Sequence, residues 1–314
     1  MAQDPELPSE TEEVLSGPQL VAGQVVRPGK TSMLPVPNIW VTLHRVGSDN
    51  AAPLDSIRAD REGRYSFDFR RTGDKRAIYF VSASYGGVAY FTPPLAHNTV
   101  RGEEAEIAVF DTTSAPVPIS VRGHHVIVSA VNATGTRRVT EVFELANDSS
   151  VTRVIAGDGS EPVWSTPFPP RASAFQVSQG DIPSVAARFV NGKAGIYAPI
   201  APGIKQFAFS YTLPADAFPL SVPIIRDTQI LEVLIEAEKG SVTGAKLEEK
   251  APVAIEQRSF RRFLADDVPA NSVSLIDLPA EVEVGRIDPR YMIALTLIIG
   301  GSMIFALARA LRRR

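Results

Sequence analysis

The chain closes on an uncharged run, Tyr291-Met-Ile-Ala-Leu-Thr-Leu-Ile-Ile-Gly-Gly-Ser-Met-Ile-Phe-Ala-Leu-Ala308, which meets Arg309-Ala-Leu-Arg-Arg-Arg314. Roughly 18 residues at 1.5 Å each cover about 27 Å as an α-helix, enough to cross a hydrocarbon core. The competing reading, a long buried helix that closes a soluble domain, does not account for arginines crowded against one end of the run. The pattern therefore predicts a transmembrane helix over residues 291–308 and a basic tail over 309–314. Everything before it becomes a body held near a membrane. The anchor residues are Tyr291, whose amphipathic ring suits the headgroup level, Gly300 and Gly301, which permit close helix approach, and Arg309, Arg312, Arg313 and Arg314, which stop the helix.

Charge sets the expected orientation. Arg286 and Arg290 precede the run and four arginines follow it, so the positive-inside rule places the C-terminus in the cytoplasm and the body outside. Residues 1–10 carry no basic n-region and no apolar h-region of a signal peptide. Either such a signal has been removed or the anchor enters tail-first, and tail-first entry would carry the arginines across. The expected address is a bacterial inner membrane, single-pass, with a periplasmic body.

Composition narrows the chemistry. With no cysteine, disulfides, thiolate metal sites and cysteine nucleophiles are excluded, so packing must hold the fold. The net charge of −3 and the absence of a basic block before the terminal arginines argue against a nucleic-acid partner. Residues 1–17 hold Asp4, Glu6, Glu10, Glu12 and Glu13 with no basic residue, the composition of an acidic flexible leader.

From Gln19 onward short segments alternate apolar and polar residues. Leu20 to Val26, Ile39 to His44, Arg64 to Phe69, Ala77 to Ala83 and Glu106 to Phe110 have the period of strands, with Arg27-Pro-Gly29, Pro35-Val-Pro-Asn38 and Asp60-Arg-Glu-Gly63 as turns between them. After the linker at Asp111 to Pro118 a second series follows. It comprises His125 to Val131, Val139 to Leu145, Ser173 to Val177, Val185 to Val190, Lys205 to Tyr211, Ile230 to Glu236 and Ser272 to Asp277. Ile255 to Leu264 fits either a strand or a short helix, and Pro162 to Pro170 reads as a proline-rich loop. Strand spacing in this series predicts an immunoglobulin-like sandwich over residues 117–280, with 281–290 as a connector to the anchor.

The first series carries a resemblance. Gly23-Gln-Val-Val, then Pro35-Val-Pro-Asn-Ile-Trp-Val-Thr-Leu43, then Ala59-Asp-Arg-Glu-Gly-Arg-Tyr-Ser-Phe67 resemble the carboxypeptidase regulatory-like domain. The resemblance covers residues 18–113 and implies a transthyretin-like β-sandwich. It implies no peptidase activity, because the zinc ligands of carboxypeptidases lie in a separate catalytic domain and no His-x-x-Glu pair stands here in its place. The expected fold is thus mainly β, two β-sandwich domains followed by one C-terminal transmembrane helix.

No catalytic or cofactor site is legible. His124-His125 is the one histidine pair, but neighbours on a strand point to opposite faces and do not aim at one metal; His44 and His97 are isolated. Asp60, Glu62 and Asp158 beside glycines are turn chemistry before they are calcium ligands, and Asn132-Ala-Thr134 matches a glycosylation sequon. Asp266-Asp267 and Ser259 lack a frame that would present them for catalysis. The aromatics are more informative. Trp40, Tyr90, Phe91, Trp164 and Phe168 are candidate interface residues if they lie outside the cores, since exposed aromatic side chains concentrate binding energy.

These features predict a non-enzymatic, membrane-anchored accessory subunit that docks on the periplasmic face of a larger inner-membrane complex, with the bilayer and that complex's subunits as partners and no cofactor of its own. The plan resembles the extrinsic one-span subunits of bacterial energy-converting complexes, and a photosynthetic reaction centre with its light-harvesting antenna is the assembly it suggests. The alternative is a periplasmic binding module for carbohydrate, peptide or cell-envelope polymer. An enzyme would need a convergent polar cleft.

Overall fold

The computed structural model describes residues 18–280 apart from 158, 179 and 256. The leader over 1–17, the connector, the anchor with Tyr291, Gly300, Gly301, Arg309, Arg312, Arg313 and Arg314, and Asp158 lie outside the described residues. Among those described, no helix is long and apolar enough to cross a membrane. The described residues are mainly β, built into several sheets, and their helical elements are short 3-10 turns. The chain divides into two compact units at Thr112/Thr113.

The first unit has two sheets. Pro18–Pro28 is the hub of a five-stranded sheet: it pairs antiparallel with Arg64–Arg70 and Met33–Pro35, and parallel with Thr99–Arg101 and Ile107–Ala108. The second sheet has four strands in the order Ala51–Arg58, Trp40–Val46, Ile78–Tyr85, Val88–Phe91. Period-two alternation does here what it predicts. Val41 and Leu43, Tyr79 and Val81, and Val88 and Tyr90 are buried, while their strand neighbours face the other way. Phe69 of the first sheet stacks on Tyr79 of the second at 5.3 Å, which ties the two buried faces together. Close approach also explains a glycine. A side chain at Gly23 would drive its Cβ into the carbonyl oxygen of Ala105.

The Asp60-Arg-Glu-Gly63 segment is the tight turn its residues suggest. Asp60 Oδ1 accepts the N–H groups of Glu62 at 2.9 Å and Arg64 at 2.8 Å, and Gly63 supplies the positive φ of 73°.

The second unit is organised by a seven-stranded sheet. Its order is Ser173–Val177, Gly203–Pro214, Thr136–Asn147, Ile119–Val128, Thr228–Ile235, Arg258–Val268, Glu248–Ile255. Every pairing is antiparallel except that of Ile119–Val128 with Thr228–Ile235. Two three-stranded sheets accompany it: Trp164–Pro167, Lys193–Ile196 and Ala187–Val190 form one, and Leu220–Ile224, Ser272–Asp277 and Ser241–Gly244 the other. One cluster of buried side chains unites all three, with Val126, Phe143, Phe207 and Val233 from the large sheet, Trp164 and Ile196 from one small sheet, and Val222 and Ile276 from the other.

Two readings are corrected. The proline-rich segment around Trp164 is not wholly a loop, because Trp164–Pro167 pairs with Lys193–Ile196 as an edge strand, a place where proline is tolerated. The ambiguous stretch Ile255 to Leu264 resolves as a hairpin, with Glu248–Ile255 turning into Arg258–Val268 and Gln257 at φ 67° in the turn.

Candidate functional site

The outward face of the four-stranded sheet in the first unit carries several exposed apolar side chains. Trp40, Thr42, His44 and Val46 point outward from one strand, Ile78, Phe80 and Ser82 from the next, and Ala89 and Phe91 from the last. Trp40 is 53% exposed, Phe91 57%, Ile78 49% and Val46 42%. Register places His44 beside Phe80 and Ser82 beside Phe91, so three rings form a ledge. His44 stacks on Phe80 at 5.0 Å with planes 13° apart, whereas Phe80 and Phe91 meet at 5.7 Å and 70°. Partial burial lowers the His44 pKa, and its Nε2 lies 2.8 Å from the Ser82 hydroxyl. Arg58 lies over the Trp40 ring at 4.6 Å and is held there by its bonds to the carbonyl and side-chain oxygens of Asn38. The opposite face of these strands is already in the core, and on this one Trp40, Phe91, Ile78 and Val46 are left exposed by the described residues.

Of the five candidate interface aromatics, the structure leaves Trp40 and Phe91 exposed. Tyr90 points inward and donates its hydroxyl to the Phe110 carbonyl at 3.0 Å. Trp164 is 3% exposed and sits edge-on to Phe143 and Phe207 in the second core. Phe168 is half-buried against Phe175. The last three sit in or against the cores of their units.

The histidine pair behaves as strand geometry requires, with a twist supplied by a bulge. Register slips between Val121 and Gly123, which leaves Arg122 as the extra residue. Val121, His124, Val126 and Val128 therefore share the core side, and His125 is turned to the other. His124 donates from Nε2 to Glu141 Oε2 at 2.9 Å, and the Tyr211 hydroxyl donates to Glu141 Oε1 at 2.8 Å. All three side chains are buried. Burial and the Glu141 charge raise the Tyr211 pKa well above the ordinary phenol value. On the opposite face His125 Nδ1 donates to Glu232 Oε2 at 2.7 Å, and Arg262 Nε donates to Glu232 Oε1 at 2.6 Å. Burial alone would push the Glu232 carboxyl up, but the His125 bond and the Arg262 guanidinium outweigh it and hold the carboxyl below its usual range.

The remaining candidates are dispersed. Asn132 Oδ1 accepts from the backbone and hydroxyl groups of Thr134 and Thr136, a turn cap at the tip of a hairpin. Asp266, Asp267 and Ser259 are exposed along Arg258–Val268, where Ser259 pairs with Ala254 and Asp266 with Ile230. Among the described residues no group of three or more His, Cys, Asp or Glu side chains is arranged to hold a metal ion. Sequence reasoning missed Glu141 and Glu232, because each meets its histidine only through strand pairing; Glu232 lies 107 residues from His125 in the chain.

No family model matches the chain, and no curated protein matches it in sequence. Solved structures that resemble parts of it include the shaft pilin spaA from Lactobacillus rhamnosus GG, at 11% identity over 46% of this chain and 69% of that one, with a TM-score of 0.21. A glutamate-to-alanine mutant of that pilin matches at 11% identity over 39% of this chain with a TM-score of 0.22, and the chain spans 64% of that structure's length. A second mutant of the same kind, altered at a different glutamate, matches at 10% identity over 43% of this chain and 63% of that one, with a TM-score of 0.19. A likeness this slight carries nothing about what the chain binds.

Proposed function

We propose that the chain is a non-enzymatic accessory subunit, anchored by residues 291–308 in a bacterial inner membrane with its body in the periplasm. On this reading its first unit docks through the outer face of the four-stranded sheet on a larger membrane complex. One observation carries the proposal: Trp40, Phe91, Ile78 and Val46 lie exposed on one sheet face whose reverse is already core. Exposed apolar side chains on one face with an Arg-backed tryptophan among them are the composition of an interface anchor. Strand addition at the Ala51–Arg58 edge of this sheet is disfavoured, since that strand carries Pro53 and a bulge. The first unit is read as a transthyretin-like sandwich of the carboxypeptidase regulatory-like kind and the second as an immunoglobulin-like sandwich. A photosynthetic reaction centre with its light-harvesting antenna is the assembly we take as partner, on resemblance of plan.

The second reading, a binding module for carbohydrate or cell-envelope polymer, draws on the same ledge. Ring geometry weighs against it, because Phe80 and Phe91 stand at 70° and do not make a flat platform, and one face of Trp40 is taken by Arg58.

The test is mild detergent extraction of membranes that carry either the native chain or a W40A/F91A variant. The native chain should co-purify with multi-span, pigment-bearing subunits, and the variant should remain membrane-bound yet elute apart from them. Equal co-purification of the variant overturns the docking face. A native chain that elutes alone overturns the accessory role.

A further inference from the structure

Val88–Phe91 is the last strand of the four-stranded sheet, and among the described residues no strand pairs beyond it. It joins Ile78–Tyr85 through the two-residue turn Gly86-Gly87, whose φ angles of 57° and 79° are those of a tight hairpin. Opposed residues in such a pair alternate between those that exchange hydrogen bonds and those that do not. Thr92 N–H donates to the Val81 carbonyl at 2.9 Å, so the set bonded to Ile78–Tyr85 is Thr92, Tyr90 and Val88. The N–H and C=O groups of Ala89 and Phe91 therefore point off the free edge. Among the described residues no backbone hydrogen bond reaches them there, and both residues are exposed.

The two edges of this sheet differ. Ala51–Arg58 carries Pro53 and a bulge, whereas Val88-Ala-Tyr-Phe91 has no proline, no charge and no break in register. Its limit is length, because the Gly86-Gly87 turn closes one end and Thr92-Pro93-Pro94 the other. A strand laid along it would meet the donors and acceptors of Ala89 and Phe91. Its side chains would alternate between Phe91 on the outer face and Tyr90, tilted against Phe110 at 5.9 Å, on the inner one. Both sides suit uncharged, β-branched or aromatic residues.

We propose that Val88–Phe91 accepts an extended, uncharged segment of a partner subunit as a further strand of its sheet. This rests on the docking reading above and adds how the partner is held: by main-chain bonds at the edge together with side-chain contact on the face. Phe91 belongs to both, since it meets Phe80 on the ledge and lies on the edge strand. A second copy of this chain paired edge to edge would continue the sheet sideways and leave Trp40, Ile78 and Val46 uncovered. A separate subunit can cover edge and ledge at once.

The test is A89P in the full-length chain. The Ala89 N–H has no bond to Ile78–Tyr85 to lose, so proline removes the free donor and places its ring where the added strand would lie. A89T keeps the donor and is the control. In mild detergent extracts A89T should co-purify with the multi-span subunits as the native chain does, and A89P should be depleted about tenfold. Equal co-purification of A89P overturns strand addition and leaves contact by the face, which W40A/F91A reads separately. A native chain that elutes without those subunits overturns the docking reading; if it elutes as a dimer that A89P converts to monomer, a second copy occupies the edge and the partner assignment is overturned. If it elutes as a monomer, or if A89P does not fold, amide hydrogen exchange of the native chain in micelles decides, with and without the blocked peptide Thr-Val-Thr-Val-Thr-Val at millimolar concentration. Exchange slowed about tenfold at Ala89 and Phe91 supports the edge as a strand acceptor, and unchanged exchange there overturns it.

Discussion

His124 Nε2 and Glu141 Oε2 lie 2.9 Å apart between the sheets of the second unit, with Phe143 stacked on the imidazole at 4.1 Å. A titratable pair in that position is tolerated because Tyr211 supplies the second hydrogen bond to the carboxylate. Removing one partner strands the other. E141A is expected to cost about 3–5 kcal/mol, since it leaves a buried histidine and phenol unpaired, and Y211F about 1 kcal/mol. Urea unfolding of the second unit checks both; an E141A cost no larger than that of Y211F would contradict the arrangement.

Gly23 is irreplaceable by even a methyl group. G23A would push Cβ into Ala105 O, the oxygen that also accepts the Tyr65 hydroxyl at 2.5 Å. The expected cost is about 3 kcal/mol from overpacking, against about 1 kcal/mol for Y65F, which removes only the bond. Differential scanning calorimetry distinguishes them by the larger fall in Tm for G23A.

Strong acid should weaken the turn that Asp74 holds. Asp74 is held at a pKa of about 2 by the Ser48 hydroxyl and the backbone N–H groups of Arg76 and Ser48, against 3.8 for the ordinary side chain. A depressed carboxylate contributes stability above its unfolded value and loses it as pH falls through the folded one. The difference in stability between the native chain and D74N should thus be present above pH 3.8 and shrink as pH falls towards about 2. A difference that stays constant over that window would assign the role of Asp74 to packing.

Much of this fold was legible from period and turn chemistry. Ser173–Val177 and Ser272–Asp277 fall where alternation put them, because each has one apolar face and turn residues at its ends. Strand Trp164–Pro167 was hidden by its prolines, which an edge position tolerates. The histidine pair shows a deeper limit. Opposite faces follow from strand geometry, but which histidine faces the core depends on the bulge at Arg122, and a bulge leaves no mark in hydrophobic alternation. The carboxylates that meet the histidines are set by pairing register across 17 and 107 residues, a relation fixed by the whole sheet and by no local motif. Likewise Trp40 and Trp164 are alike in sequence context, and only their strands' orientation separates an exposed ring from a core one.

The central claim is that the outer face of the four-stranded sheet is a docking face, and site-specific photo-crosslinking tests it most directly. A photoreactive amino acid replaces Phe91, and in a parallel chain Val185, a control residue 91% exposed in the second unit. After illumination of intact membranes, the account predicts a discrete crosslink from position 91 to a multi-span membrane subunit, lost when W40A is added, and none from position 185. No crosslink from position 91, or the same product from both positions, would contradict it.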